Sequence, residues 1–132
     1  MKRILSIFLI IVFVAGCEAP INEAHQRLLT EYGWTVKQLK EEKQFTLETP
    51  EELLANFEAS GVDFLRNYQG QQVTQFHYEL KEKDIDKKNI QVFVVEKKGE
   101  VIGGYIILQS WDPGVFKLSN KDKLVDGKYV LP

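Results

Sequence analysis

The first apolar stretch of the chain is an unbroken run close to the N-terminus. Lys2 and Arg3 precede it, and residues 4–16 contain no charged side chain. Two cations followed by such a run are typical of a secretory signal peptide. The run ends in three small or aliphatic residues directly before Cys17, namely Val14, Ala15 and Gly16. This ending predicts a lipoprotein signal of residues 1–16, cleaved so that Cys17 becomes a lipid-bearing N-terminus.

Two other interpretations of this segment were weighed. An uncleaved membrane anchor is disfavoured, because the 13 residues from Ile4 to Gly16 form a helix of roughly 20 Å, whereas the hydrocarbon core is about 30 Å thick. In the other interpretation, Cys17 is an ordinary buried thiol and the leader is cut elsewhere. Cys17 is the only cysteine of the chain, and a lone free thiol is unusual in an exported protein.

The pattern downstream begins with an amphipathic helix over residues 21–33. Its apolar positions recur at helical spacing, with polar residues opposite; they are Ile21, Ala24, Leu28, Leu29 and Tyr32. An extended stretch follows from Trp34, interrupted by the charged residues 40–43 and resumed at Phe45 and Leu47.

A second helix has a clear predicted start. Thr49 is a suitable N-cap, Pro50 fits the first helical position, and Glu52 would complete a capping box. The buried stripe consists of Leu53, Leu54 and Phe57, and Gly61 ends the helix.

From residue 74 onward the period changes to two, which predicts strands. Residues 74–80 alternate between polar and apolar positions, residues 81–88 form a charged link, and residues 90–95 are apolar on both faces, as in a central strand. A hairpin turn at residues 97–100 leads into a strand over residues 101–108. The paired glycines Gly103 and Gly104 inside that strand predict a bulge or a closely packed helix.

These elements predict an α+β fold. We expect two N-terminal helices packed on one face of a three- to five-stranded antiparallel sheet. Residues 17–20 form a lipidated N-terminus with a short linker, and residues 21–132 form a single domain with a tail from about residue 119 that we expect to be loosely held.

Charge and linker length narrow the class of partner. Without Lys2 and Arg3 the chain has 15 basic and 19 acidic side chains, a net charge of −4. An acidic exported domain is a poor nucleic-acid binder, and its charge argues against a polybasic grip on lipid headgroups. Only three residues separate Cys17 from Ile21, a reach of about 10 Å. The domain is therefore expected on the outer face of the cell membrane, beside a membrane-proximal protein or peptide.

Candidate chemistry is sparse. No serine lies in a recognisable nucleophile motif, and the two histidines, His25 and His77, are expected in ordinary solvent-exposed roles. His77 and Glu79 have the spacing of two metal ligands on one strand face, but no third ligand is identifiable. We therefore predict no catalytic residue, no metal site and no cofactor. Trp111 and Asp112, beside a predicted turn, are the candidate binding surface, although covering the sheet edge is the more common role for a tryptophan in the position of Trp111.

Three short segments carry a family resemblance. They are Tyr32-Gly33-Trp34 with Val36, Tyr68-x-Gly70 leading to Val73, Phe76 and Tyr78, and the hairpin of residues 99–104. Together these segments resemble small lipoproteins of Firmicutes that carry domain of unknown function 4830. The resemblance covers roughly residues 21–110. It implies a lipoprotein domain with no particular activity, and no site residue is carried over from it.

Three functions were compared. The first is a non-enzymatic, lipid-anchored domain that binds a membrane-proximal protein or peptide. The second is a module that binds a small molecule or an envelope fragment in a pocket between helices and sheet. The third is an enzyme acting on envelope material, which would require a cleft gathering His77 with acidic side chains.

Overall fold

A five-stranded antiparallel sheet forms the centre of the computed structural model, which describes residues 21–111 and 114–132. The strands lie in chain order across the sheet and are β1 Val36–Thr46, β2 Gln72–Lys83, β3 Asn89–Lys97, β4 Glu100–Ile107 and β5 Val115–Lys117. The α-helices are α1 Glu23–Glu31, α2 Glu51–Ala59 and α3 Lys121–Asp126, and two 3₁₀ helices lie at Leu65–Tyr68 and Leu118–Asn120.

Both faces of the sheet are covered. Consecutive residues of a strand point to opposite faces, and in β3 Val94 and Val95 belong to different apolar clusters. The α1-side core contains residues of α1 and α3 and one face of the sheet; it includes Leu29, Trp34, Phe76, Tyr78, Val92, Val94, Ile106, Leu108 and Leu124. The α2-side core lies on the other face and includes Leu54, Phe57, Leu65, Val73, Val95 and Tyr105.

The predicted arrangement of the helices is wrong. The α+β class and the antiparallel sheet are present, but the two helices are not an N-terminal pair on one face. β1 lies between α1 and α2 in the chain, and α3 follows the last strand. A strand that is apolar on both sides, such as β3, needs a cover on each face. The stripe of a helix indicates that one side is buried, but not against which face of the sheet.

The charged residues 40–43 do not interrupt a strand; they form the middle of the edge strand β1. This strand has register shifts between Val36 and Gln38 and between Leu39 and Glu41. Val36 contributes to the α1-side core and Phe45 packs against the α2-side core. β1 therefore carries the chain from one face of the sheet to the other, and its charges and bulges protect the edge from pairing.

The predicted hairpin and bulge are confirmed. Lys98 and Gly99 both have positive φ, at 51° and 80°, as a two-residue turn of type I′ requires. The β3–β4 register shifts between Val95 and Glu96, which pair with Gly103 and Val101 respectively. The extra residue of the bulge is therefore Ile102.

The predicted capping box of the second helix is absent. The N-cap of α2 is Pro50, with no side-chain cap. Thr49 is bonded instead to Gln69: its N–H donates to Gln69 Oε1 at 2.7 Å, and its hydroxyl accepts from Gln69 Nε2 at 3.3 Å. The hydroxyl of Thr49 thus ties the start of α2 to the segment after the first 3₁₀ helix.

The segment from residue 119, which we expected to be loosely held, forms α3 and a final bridge. Leu124 and Val130 are buried in the α1-side core. Val130 also pairs with Asp84 in an isolated β-bridge.

Candidate functional site

Part of the edge of β4 that faces β5 has no partner strand among the described residues. β5 pairs with only three residues of β4, from Tyr105↔Lys117 to Ile107↔Val115. After Lys117 the chain turns into the 3₁₀ helix Leu118–Asn120, and Leu118 enters the α1-side core. In the described part of the chain no strand pairs with residues 100–104 on this side.

A groove of about 330 Å³ runs along this unpaired edge. One wall is the last turn of α1, with Leu28 and the exposed Tyr32, and the other is Phe64. Val101 and Ile102 of β4 lie between them. We call this feature the β4-edge groove.

Gly103 and Gly104 line the β4-edge groove at positions where a larger residue would not fit. A Cβ on Gly103 would lie 2.4 Å from the Phe64 ring, and a Cβ on Gly104 would lie 2.8 Å from the Phe93 carbonyl oxygen and 3.1 Å from Leu118. Because Gly103 has no Cβ, Phe64 can pack against it on one face of the sheet. Because Gly104 has no Cβ, Leu118 can pack against it on the other face.

The backbone at this edge offers hydrogen-bonding groups. The Leu108 N–H donates to the Gly114 carbonyl at 2.8 Å, on the β5 side of β4. Alternate residues of an antiparallel strand direct their N–H and C=O to the same side. The N–H and C=O groups of Ile106 and Gly104 therefore also point to the β5 side of β4. At Gly104 this edge has no partner strand among the described residues.

His25 lies in a different environment from the one predicted. The expectation of solvent exposure is wrong, since the side chain is fully buried. Its Nδ1 lies 2.5 Å from the Tyr78 hydroxyl, and its Nε2 contacts the Glu96 carboxylate. Burial raises the pKa of Tyr78 to about 12, so the hydroxyl stays protonated at neutral pH. The histidine joins α1 to β2 and β3 and is closed to substrate.

His77 is half-buried on the α2-side face of β2, and the structure holds it in a polar groove of about 220 Å³. Its ring stacks on Phe93 at 4.5 Å, and its Nε2 lies 2.6 Å from Gln91 Oε1. Glu41 is the carboxylate residue that lines this groove. These contacts fix the ring, and the carboxylate of Glu41 shares the groove with it.

Glu79, the residue spaced for metal binding with His77, is engaged elsewhere. Its carboxylate lies 3.2 Å from Lys37 Nζ and 3.6 Å from Lys40 Nζ. Burial acts to raise the pKa of Glu79, but the two lysines outweigh it and hold that pKa below the usual value. Across residues 21–111 and 114–132, no three His, Cys, Asp or Glu side chains are grouped to hold a metal ion.

Trp111 is the one other predicted site residue that lies within the described ranges. Trp111 is exposed, and its ring lies edge-on to Tyr129 at 4.6 Å. Asp112, the predicted lipidation residue Cys17 and the predicted signal residues Val14, Ala15 and Gly16 lie outside the described residues. No helix in the described ranges combines the length and the apolar character that crossing a bilayer requires.

Comparison with known proteins assigns the N-terminal segment. Residues 1–17 match the family model of a prokaryotic membrane lipoprotein lipid attachment site. The chain is therefore similar to membrane-anchored lipoproteins at its N-terminus, in agreement with the signal predicted there. No curated protein and no solved structure matches the chain. The match ends at Cys17, so the resemblance of residues 21–110 to domain of unknown function 4830 stays a prediction.

Proposed function

We propose that this protein is a non-enzymatic binding domain, held by lipid on the outer face of the cell membrane, that receives an extended segment of a membrane-proximal protein at the β4-edge groove. Fatty acyl chains such as palmitate would be attached to Cys17, the last residue of the lipid attachment match. Two or more such chains anchor a protein stably, whereas a single chain is marginal.

The short linker supports a partner close to the membrane. The three residues between Cys17 and Ile21 reach about 10 Å when fully extended. A domain held at that distance meets other membrane proteins at high effective concentration.

The unpaired edge of β4 is the observation that carries the proposal. An extended peptide that adds to a sheet edge gains main-chain hydrogen bonds, and its alternate side chains enter neighbouring pockets. Residues 101–104 lie on the same edge of β4 with which β5 pairs at residues 105–107. An added segment would therefore lie in line with β5. Side chains of the added segment would lie between Tyr32 and Phe64, which favours a segment with apolar residues at alternate positions.

The closed helix–sheet interfaces favour this function over a small-molecule module. Leu29 of α1 and Trp34, which follows α1, are buried in the α1-side core. Leu54 and Phe57 of α2 are buried in the α2-side core. A ligand bound between the helices and the sheet would have to displace these side chains. The β4-edge groove instead opens along a backbone, as an extended chain requires.

Site-directed photo-crosslinking in intact cells tests the proposal. A photoreactive amino acid replaces Tyr32, which lines the groove, or Leu53, which is similarly exposed on α2. We expect an adduct from position 32 and none from position 53. Mass spectrometry should place the adduct within one extended segment of a membrane-proximal protein.

A substitution at the edge makes the test specific. Val101→Lys places a charge at an unpaired strand edge, a device that proteins use against edge pairing. We expect it to reduce the position-32 adduct by roughly tenfold or more, whereas the matched Leu53→Lys leaves it unchanged. Equal adducts from both positions, no adduct from position 32, or an adduct that survives Val101→Lys would contradict the proposal.

A further inference from the structure

Three separate segments meet at one corner of the domain, beyond the ends of β2 and β4. The Ile85 N–H donates to the Tyr129 carbonyl at 3.0 Å, and Asp84 bridges to Val130. The Trp111 ring lies against the Tyr129 ring at a centroid distance of 4.6 Å. The loop after β2, the segment after β4 and the residues after α3 thus form one surface, which we call the Trp111 corner: Ile85, Trp111 and Tyr129.

A buried carboxylate holds the Trp111 corner together. Asp84 is almost fully buried, and its Oδ1 accepts hydrogen bonds from the backbone N–H groups of Asp86 and Lys88 at 2.9 and 3.0 Å. Its Oδ2 accepts from the Ser110 hydroxyl at 3.0 Å. Asp84 directly precedes Ile85, and Ser110 directly precedes Trp111. The hydrogen bonds of Asp84 therefore hold the backbone on which both exposed side chains lie.

The Trp111 corner exposes apolar surface. Ile85 is 42% exposed and Trp111 is 41% exposed. Both belong to the small set of large apolar side chains that the described residues leave exposed. Clustered exposed apolar side chains mark contact with another protein or with a membrane.

Three exposed lysines accompany this apolar surface. Lys87 and Lys88 follow Ile85 in the loop, and Lys128 precedes Tyr129. No carboxylate of residues 21–111 or 114–132 lies within 4.0 Å of their ammonium groups. The same loop contains two acidic residues, the buried Asp84 and the exposed Asp86, so the loop with Lys128 has a net charge of +1 (three lysines, two aspartates). The net charge of the whole chain does not indicate this local excess.

We propose that the Trp111 corner inserts into the headgroup region of the membrane that holds the lipid anchor. Tryptophan and tyrosine are favoured at the membrane–water interface, because they combine an apolar ring with a polar group. Lysines beside them would be attracted to anionic headgroups. The proposal rests on the lipid attachment site, whose short linker keeps the domain at the membrane, and it does not depend on the β4-edge groove.

Tryptophan fluorescence in vesicles tests this contact on the lipidated, full-length mature protein. The chain has two tryptophans, and Trp34 is only 1% exposed in the α1-side core. In vesicles of phosphatidylcholine and phosphatidylglycerol whose acyl chains are brominated near the headgroups, we expect emission to fall by up to about half, since Trp111 alone would lie at the interface. Trp111→Phe should abolish the quenching.

A relocated tryptophan provides the matched control. Leu53 is 44% exposed on α2, and the double variant Trp111→Phe, Leu53→Trp carries an exposed tryptophan away from the Trp111 corner. We expect no quenching in this variant. The variant Lys87→Glu, Lys88→Glu, Lys128→Glu should lose most of the quenching when phosphatidylglycerol is present.

Three results would overturn the proposal: unquenched wild type whose lipid is confirmed by mass spectrometry, equal quenching of the Leu53→Trp control, or quenching unaffected by the lysine substitutions. Failure of this contact is distinguishable from failure of the proposed peptide binding, because the position-32 crosslink does not require Trp111.

Discussion

His25 joins three elements through a single ring. One nitrogen contacts the Tyr78 hydroxyl of β2 and the other contacts the Glu96 carboxylate of β3. The ring also packs edge-on to Phe76 at 4.5 Å. Because a carboxylate only accepts hydrogen bonds, Nε2 donates to Glu96. This polar contact ties α1 to β2 and β3.

Removal of the His25 ring should destabilise the fold. His25→Ala leaves the Tyr78 hydroxyl and the Glu96 carboxylate without their partner and opens a cavity, so we expect a loss of about 2–4 kcal/mol in the free energy of unfolding. His77→Ala is the matched control, and its half-buried site should lose less than about 1 kcal/mol. Urea unfolding measures both values. Equal losses for the two variants would contradict the structural role of His25.

Part of this contact could be predicted from the sequence. His25 follows Ile21 and precedes Leu29 by four residues, and this spacing places it on the apolar stripe of α1. The pattern that predicted the helix therefore contained a signal for the burial of His25, and the expectation of solvent exposure overlooked it. Its partners were not, because Tyr78 and Glu96 are 53 and 71 residues away in the chain.

At the scale of elements, β4 combines a bulge, two glycines and an unpaired edge. Gly103 admits the Phe64 ring on the α2-side face, and Gly104 admits Leu118 on the other. The short length of β5 leaves the first half of β4 open. Phe64 and Leu118, which line the β4-edge groove, can approach β4 this closely because Gly103 and Gly104 have no Cβ.

Gly103→Ala tests this packing. The new methyl would lie 2.4 Å from the Phe64 ring, and such overpacking should lower the free energy of unfolding by about 1–3 kcal/mol. Val101→Ala at the exposed edge should change it by less than about 0.5 kcal/mol. Phe64→Leu combined with Gly103→Ala should recover part of the loss, because the branched side chain is smaller than the ring. Thermal or urea unfolding that gives equal values for Gly103→Ala and Val101→Ala would contradict this account.

Local patterns predicted helices and strands along the chain, but not the face of the sheet on which each helix packs. The alternation in residues 74–80 and the turn at Gly99 depend on neighbouring residues, so they are visible in the sequence. The choice of face for α1 and α2 depends on contacts across the whole sheet. The free edge of β4 depends on where β5 stops, which follows from the entry of Leu118 into the α1-side core.

At the scale of the molecule, two proposed contact surfaces depend on one attachment. The linker before Ile21 keeps the domain near the bilayer, the Trp111 corner would contact its headgroups, and the β4-edge groove would receive a segment of a neighbouring protein. The proposed partner and the proposed membrane contact both presuppose the lipid. The lipid attachment site at residues 1–17 is therefore the premise of the whole account.

Mass spectrometry of the mature N-terminus, purified from membranes, tests that premise most directly. The account predicts a chain that begins at Cys17 and carries a lipid group with two or more acyl chains, and a Cys17→Ala variant that is neither processed nor lipidated. A mature chain that begins elsewhere, a Cys17 without lipid, or a Cys17→Ala variant cleaved at the same site and labelled by a fatty-acid analogue would contradict it.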